Sequence, residues 1–132
     1  MHNCSVLLVD DNEDTRKTIA SILERNGFQV TQTENGKEAL KIFSNSSFDL
    51  VVTDIFMAEG DGLELLILLK TTSVEIPVIV ITGGWAGSDV DIAGACRRLS
   101  AAAILEKPFR ETHLLETIDG LLNPSGLKTT RP

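Results

Sequence analysis

Short apolar runs alternate with amphipathic stretches about five times along this chain. Such alternation predicts parallel strands joined by helices, with helices on both faces of the sheet. Because crossover connections between parallel strands are right-handed, the pattern points to the doubly wound class of α/β folds. The spacing of apolar residues therefore fixes the expected architecture before any single residue is considered.

The apolar runs also predict which strands are central. The first, third and fourth runs are continuously apolar, as in strands buried on both faces, whereas the second alternates apolar and polar residues as an edge strand does. This distribution matches the strand order 2-1-3-4-5 of the flavodoxin-like (βα)5 fold, a doubly wound, five-stranded parallel sheet. The predicted strands are Ser5–Val9, Phe28–Thr33, Leu50–Thr53, Ile76–Ile81 and Ala102–Leu105.

Amphipathic stretches between the strands predict the helices, with apolar residues such as Ile19, Ile22 and Leu23 at helical spacing. The chain of 132 residues has no linker long enough to separate two domains. We expect one domain over residues 1–122 and a short polar tail over 123–132. The predicted helices are Glu13–Asn26, Asn35–Phe43, a stretch opening at Leu63–Leu69, a stretch from Ser88 or Asp89 to about Leu99, and Phe109–Leu122.

Charge and cysteine content narrow the function classes. A formal net charge of -7 disfavours direct binding of nucleic acid and fits Mg²⁺ or a basic protein partner. Cys4 and Cys96 form no CxxC pair, which predicts reduced thiols in the cytosol. The chain start lacks a signal-peptide pattern, and no apolar run approaches the roughly 20 residues needed to cross a bilayer. We expect a cytoplasmic domain that binds neither nucleic acid nor a membrane.

Carboxylates follow two of the predicted central strands. Asp10 and Asp11 come after the first strand, and Asp54 comes at the end of the third. The carboxyl ends of parallel strands share one edge of a sheet, so these groups should converge. Converging carboxylates are costly without a cation, and Mg²⁺ prefers hard oxygen ligands. The pattern predicts Mg²⁺ bound by Asp11 and Asp54, by Asp10 directly or through water, and by a backbone carbonyl such as that of Phe56.

A hydroxyl and an ammonium group follow the last two strands. Thr82 ends the fourth strand, and its hydroxyl can donate to a phosphoryl oxygen. Lys107 follows the fifth strand and can pair with Asp54 at rest and with a phosphoryl oxygen after transfer. Each residue alone is as well explained as an ordinary strand-end or surface residue. Together with Asp54 as a carboxylate nucleophile, they indicate a site for phosphoryl chemistry.

These residues resemble the receiver domain of two-component response regulators, over about Ser5–Leu122. The resemblance implies that Asp54 is the phosphoacceptor, that Asp10 and Asp11 hold Mg²⁺, that Thr82 is the switch hydroxyl and that Lys107 binds the phosphoryl group. The matching segments are Val6-Leu7-Leu8-Val9-Asp10-Asp11-Asn12-Glu13, Val51-Val52-Thr53-Asp54-Ile55-Phe56-Met57, Asp61-Gly62-Leu63-Glu64-Leu65, Val80-Ile81-Thr82-Gly83 and Lys107-Pro108-Phe109.

The resemblance also implies partners. The phosphoryl donor would be a phosphohistidine on a sensor histidine kinase or a histidine phosphotransfer protein, or a small donor such as acetyl phosphate. Output to an unidentified downstream protein would use the face built from the fourth helix, the fifth strand and the fifth helix. The domain would catalyse only its own phosphorylation and dephosphorylation, so it would not be an enzyme with a separate substrate.

Three features depart from the usual pattern of this family. Ala58 stands where members usually have proline, Ile104 stands where they usually have Tyr or Phe, and Gly83–Ser88 holds extra length. We expect phosphotransfer to survive all three departures, while the route of signal output is left open. Phe56 and Gly84 offer no side chain to position an attacking water, so we also expect no fast self-dephosphorylation from those positions.

Three other functions compete with this interpretation. A haloacid-dehalogenase-like, Mg²⁺-dependent phosphatase needs a second aspartate two residues after the nucleophile, where this chain has Phe56. A nucleotide-binding flavodoxin-like module needs a loop rich in Gly, Ser or Thr after the first strand, where this chain has Asp10 and Asp11. A degenerate receiver, acting as a phosphorylation-independent protein-interaction module, is disfavoured by the complete acid set and Lys107.

Overall fold

A parallel sheet with helices on both faces accounts for the residues that the computed structural model describes, which are 4–55, 62–72, 76–83 and 101–122. The strands there are β1 (Ser5–Val9), β2 (Gln29–Thr33), β3 (Leu50–Asp54), β4 (Val78–Thr82) and β5 (Ala103–Glu106). The helices there are α1 (Glu13–Arg25), α2 (Gly36–Asn45), α3 (Gly62–Thr72) and a C-terminal helix (Glu111–Leu122).

The strand order is β2-β1-β3-β4-β5, and all four neighbouring pairs are parallel. This confirms the predicted doubly wound sheet and its order. The register aligns the carboxyl ends of the central strands, because Val9 lies opposite Thr53 and Asp54 lies opposite Ile81. Residues that follow these strands therefore lie at one edge of the sheet, which we call the carboxyl edge.

The predicted division into central and edge strands is also confirmed. Every residue of β3 and β4 is buried, as are the last four residues of β1. In β2, by contrast, only Thr33 is buried. The polar residues of that strand are thus explained by its position at the edge of the sheet.

Alternating side chains of the strands divide the core into two clusters, one on each face of the sheet. The α1-side cluster joins strand residues such as Leu8 and Val52 to α1 and the C-terminal helix. The α3-side cluster joins Leu7 and Val51 to α2 and α3, and the half-buried Ile104 packs against it. Helices therefore cover both faces of the sheet, which explains why its central strands are apolar on both sides.

Side-chain caps fix where the first two helices begin. The side chain of Asn12 accepts a hydrogen bond from the Thr15 N–H at 2.9 Å, and Asn35 does the same for Glu38 at 2.8 Å. Such caps satisfy backbone donors that have no partner within the helix. Since β1 ends at Val9 and Asn12 caps α1, only Asp10 and Asp11 lie between the strand and the cap.

Three predicted boundaries are wrong by two residues. Helix α2 ends at Asn45 instead of Phe43. Strand β4 begins at Val78 instead of Ile76, because Pro77 has no N–H to donate and contributes only its carbonyl, to the Val51 N–H at 3.1 Å. The C-terminal helix begins at Glu111 instead of Phe109. The carbonyl of Arg110 accepts the Leu114 N–H at 3.1 Å, which places Arg110 directly before the first turn.

Several predictions fall outside the described residues and stay predictions. They concern the fourth helix from Ser88 or Asp89 to about Leu99, the extra length at Gly83–Ser88 apart from Gly83 itself, the positions Phe56, Ala58, Gly84 and Cys96, and the tail over 123–132. No helix within the described stretches is both long enough and apolar enough to cross a membrane.

Candidate functional site

Three carboxylates meet at the carboxyl edge. One oxygen each of Asp10, Asp11 and Asp54 lies within 4.8 Å of the other two. Asp10 and Asp54 are buried, with 1% and 8% of their surface exposed, whereas Asp11 is exposed. The convergence expected from the sequence is thus present, with two acids inside the protein and one at its surface.

The buried carboxylate of Asp10 is only partly compensated. Its Oδ1 accepts a hydrogen bond from the Asn12 N–H at 2.9 Å, but Oδ2 finds no hydrogen-bond partner within the described part of the chain. Burial raises the pKa of Asp10, the nearby charges of Asp54 and Asp11 raise it further, and the Asn12 hydrogen bond and Lys107 lower it. Orphaned buried oxygens beside other carboxylates favour a bound cation at this position.

Lys107 brings a positive charge to the same place. Its Nζ donates to Asp54 Oδ2 at 3.4 Å and lies 3.7 Å from Asp10 Oδ2. Its backbone N–H donates to the Thr82 carbonyl at 2.7 Å, and the Lys107–Pro108 peptide bond is cis. The ammonium therefore bridges two of the three acids, an arrangement that also lets it follow an oxygen placed between them.

Thr82 and Gly83 complete this side of the carboxyl edge. Thr82 is buried, with 1% of its surface exposed, and lies opposite Glu106 in the register of β4 and β5. A Cβ added to Gly83 would lie 3.1 Å from both Cβ and Cδ of Lys107. The aliphatic part of Lys107 thus passes closely over Gly83, where a side chain would push it away.

Gly62 allows α3 to start directly against the end of β3. Its N–H donates to the Ile55 carbonyl at 3.0 Å. A Cβ at Gly62 would overlap the backbone carbonyl oxygen of Asp54 and would lie 2.6 Å from Ile55 Cα. Any other residue here must push the helix away from Asp54 or shift the end of β3.

Sequence reasoning did not single out Arg16. One of its terminal nitrogens donates to the backbone carbonyl of Asp10 at 2.9 Å, and its Nε donates to Gln32 Oε1 at 3.3 Å. A signal was present, because Arg16 lies one helical turn after the cap Asn12, and helical side chains lean toward the N-terminus of their helix. The contact to Gln32 on β2 could be found only once the sheet order was known.

Of the predicted site residues, Asp10, Asp11, Asp54 and Lys107 lie together, and Thr82 lies beside them at the end of β4. The backbone carbonyl of Phe56 is outside the described residues. Three acids, a lysine and a threonine at the carboxyl edge of a 2-1-3-4-5 sheet are the features expected of a receiver domain.

The family model described as "Response regulator receiver domain" matches residues 6–119 of this chain. The chain belongs to the response regulator receiver domain family. Receiver domains are the modules through which response regulators take part in two-component signalling, and they act as signalling modules, not as enzymes with a separate substrate. This agrees with the family resemblance of the sequence.

Curated relatives support the same assignment. The transcriptional regulatory protein FixJ of Rhizobium meliloti is 35% identical over 119 residues, covering 90% of this chain and 57% of that protein. A putative NtrX-like response regulator of Rickettsia bellii is 36% identical over 112 residues, covering 83% of this chain and 23% of that protein. The chain thus spans less than two thirds of the length of these relatives.

Solved structures agree on the fold. A response regulator receiver domain protein from Clostridium thermocellum superposes with a TM-score of 0.84 at 28% identity, covering 96% of this chain and 99% of that one. NtrX from Brucella abortus gives a TM-score of 0.85 at 30% identity, covering 96% of this chain and 28% of that one. The chain therefore resembles both an isolated receiver domain and one part of a longer regulator.

Proposed function

We propose that this receiver domain is a phosphoacceptor, in which Asp54 takes a phosphoryl group from a phosphohistidine donor in a Mg²⁺-dependent reaction. The observation that carries the proposal is the buried Oδ2 of Asp10, which has no hydrogen-bond partner among the described residues and lies 3.7 Å from Lys107 Nζ. The negative charge of this buried carboxylate is not fully compensated by Lys107, so the site favours binding of an additional cation.

The donor set fits Mg²⁺ better than softer metals. The candidate ligands Asp10, Asp11 and Asp54 offer only carboxylate oxygens, which suit a hard cation that keeps several of its waters. The exposure of Asp11 leaves one side of the cluster open to those waters. The carbonyl of Phe56 remains a proposed further ligand. Bound there, Mg²⁺ would neutralise charge on the phosphoryl oxygens.

The transfer itself asks little covalent chemistry of the protein. A carboxylate oxygen of Asp54 forms a bond to phosphorus while the P–N bond to the donor imidazole breaks, and the imidazole keeps the electron pair. Lys107, already 3.4 Å from Asp54, would follow the transferred group and pair with one of its oxygens. The Thr82 hydroxyl would donate to another. Positioning and charge neutralisation dominate such reactions.

The charge that arrives on Asp54 is the proposed signal. An acyl phosphate adds negative charge and acceptor oxygens at a buried edge, which changes the partners available to Lys107 and Thr82. We propose that the domain spans residues 1–122 with a tail over 123–132, and that it catalyses only its own modification. It would receive phosphate from a sensor histidine kinase or histidine phosphotransfer protein in the cytosol, where a free thiol such as Cys4 stays reduced.

Intact-protein mass spectrometry after incubation with acetyl phosphate tests the proposal. The wild type should gain one phosphoryl mass with Mg²⁺ and none with a chelator, and Asp54→Asn should gain none. Asp49→Asn, which changes an exposed aspartate near the other end of β1, is the matched control and should be phosphorylated normally.

A donor phosphohistidine protein should be tried alongside acetyl phosphate. Absence of an adduct with both donors would overturn the proposal and favour a receiver that signals by binding alone. An adduct that forms equally well in Asp54→Asn would instead relocate the phosphoacceptor.

A further inference from the structure

Arg16 makes a bridge that the proposed chemistry does not use directly. The side chain is half-buried and reaches from the first turn of α1 to two separate places. One of its terminal nitrogens donates to the Asp10 carbonyl at 2.9 Å, and its Nε donates to Gln32 Oε1 at 3.3 Å. The planar guanidinium can hold both acceptors at once in a fixed geometry, which a lysine ammonium cannot reproduce.

The contact to Asp10 closes a set of hydrogen bonds around the segment that carries two of the acids. The Asp10 N–H donates to the Thr33 carbonyl at 3.1 Å, and the Asn12 N–H donates to Asp10 Oδ1 at 2.9 Å. The Asp10 carbonyl, which leads directly into Asp11, is held by Arg16. The backbone on both sides of Asp10 is therefore fixed to β2 and α1 as well as to its own strand.

We propose that Arg16 is a positioning residue for the metal site. By tying the Asp10 carbonyl to α1 and to Gln32 of β2, it holds Asp10 and Asp11 in the geometry that Mg²⁺ requires. The inference rests on the proposed function, since it concerns the affinity of that same acidic site. Groups that orient metal ligands without touching the metal typically set the affinity by about 10- to 100-fold.

Simple electrostatics predicts that removing Arg16 changes the Mg²⁺ affinity in the opposite direction, which makes the proposal testable. Arg16 places a positive charge at the Asp10 backbone carbonyl, so its removal should strengthen cation binding if charge alone matters. If Arg16 acts by positioning, its removal should weaken binding in spite of the favourable change in charge. Lys17 provides the matched control, because it carries the same charge in the next position, is 64% exposed and pairs with Glu13 at 2.6 Å.

The experiment measures the Mg²⁺ dissociation constant by isothermal titration calorimetry at fixed ionic strength. It compares the full chain with Arg16→Gln, Arg16→Lys, Gln32→Leu and Lys17→Gln. We expect Arg16→Gln to weaken binding about tenfold and Arg16→Lys and Gln32→Leu to weaken it less. Lys17→Gln should leave it unchanged or slightly stronger.

A second measurement needs no metal. Amide hydrogen exchange at Asn12, whose N–H donates to Asp10 Oδ1, reports whether the segment is held. In the metal-free protein, Arg16→Gln should speed exchange at Asn12 beyond any change at the core strand β3, whereas Lys17→Gln should not. Urea unfolding of each variant separates this local effect from a general loss of stability.

The outcomes separate the inference from the proposed function. Unchanged or tighter Mg²⁺ binding by Arg16→Gln, with a wild type that binds Mg²⁺ and is phosphorylated, would overturn the inference alone. A wild type that does not bind Mg²⁺ would overturn the proposed function and the inference with it. If Arg16→Gln fails to fold, Arg16→Lys and Gln32→Leu decide the question by the same two readouts.

Discussion

The middle of the central strands and two polar residues at their carboxyl edge are equally buried but opposite in chemistry. Leu8 and Val52 in the middle are 0% exposed, and so is Ile79. Asp10 and Thr82 at the edge are 1% exposed. The apolar residues gain about 25 cal/mol for each Å² removed from water, whereas a buried carboxylate without full compensation loses free energy.

The comparison shows that the buried polar side chains at the carboxyl edge lower the stability of this fold. The sheet ladder continues to the carboxyl edge, as the Ile55 N–H to Ile81 carbonyl bond of 3.0 Å shows. What changes is the side chains: Asp10 is an acid whose burial is only partly offset by the Asn12 hydrogen bond and by the charge of Lys107. Changes in the middle of the strands should therefore destabilise the protein, while some changes at the edge should stabilise it in the absence of metal.

The largest effect is expected in the middle of β1. Leu8→Ala should lower the free energy of unfolding by about 2–5 kcal/mol, because it removes buried methyl groups from the α1-side cluster and leaves a cavity. Urea denaturation measures this change. Leu8→Met, which nearly conserves volume, is the control and should cost less than about 1.5 kcal/mol. Equal losses in the two variants would contradict the cavity explanation.

A smaller loss is expected where the helix meets the edge. Gly62→Ala should destabilise the protein by about 1–3 kcal/mol, since the new methyl group overlaps the Asp54 carbonyl oxygen. Gly120→Ala is the matched control, because its Cβ meets nothing within 4 Å and lies on the exposed face of the C-terminal helix.

The control should behave in the opposite way. A glycine within a helix costs roughly 0.5–1 kcal/mol relative to alanine, so Gly120→Ala should be stabilising. Thermal unfolding distinguishes the two. A neutral or stabilising Gly62→Ala would show that α3 can move away from β3 without loss, against the close approach described above.

At the acidic site we expect a substitution to increase the free energy of unfolding instead of lowering it. Asp10→Asn should raise the free energy of unfolding of the metal-free protein by about 1 kcal/mol, because it removes a carboxylate charge that burial, and to a smaller extent Asp54 and Asp11, disfavour. Saturating Mg²⁺ should stabilise the wild type more than the variant and so narrow or invert the difference. Thermal unfolding with chelator and with Mg²⁺ measures both. If Asp10→Asn is less stable than the wild type in chelator, the buried carboxylate does not destabilise the metal-free protein, and the explanation is refuted.

The smallest expected effect is the pH dependence of the stability difference between Asp10→Asn and the wild type without metal. The pKa of Asp10 is raised in the folded protein above its ordinary value of 3.8, mainly by burial. Between 3.8 and the raised folded value, the folded state holds more protons than the unfolded state, so stability from this group increases as the pH falls. The advantage of Asp10→Asn should therefore be full near neutral pH and fade on acidification. An advantage that is independent of pH would point to packing and not to charge.

The sheet and the main members of the site could be predicted because both follow from local pattern. Continuous apolar runs identified the central strands, and residues that follow parallel strands must share an edge, which brought Asp10, Asp54 and Lys107 together. The sequence could not tell that Asp10 is buried while its neighbour Asp11 is exposed. Their chemistry is identical, and only the path of the backbone between β1 and the cap Asn12 separates them.

Residues whose role depends on distant parts of the chain could not be found in the same way. Arg16 matters through Gln32, which approaches it only because β2 pairs with β1. The close approach of Gly62 to Asp54 likewise depends on how α3 packs over the sheet. Local pattern describes what each segment can do, whereas these contacts arise from how segments meet.

The two core clusters have a consequence for how such a domain diversifies. Because neighbouring residues of β1, β3 and β4 enter different clusters, the sheet separates the two sets of core side chains within the part of the chain that the structure describes. Substitutions in a lineage can accumulate behind α2 and α3 without compensation behind α1. Epistasis should therefore be strong within a face and weak between faces, so that one surface can acquire new partners while the other keeps an old one.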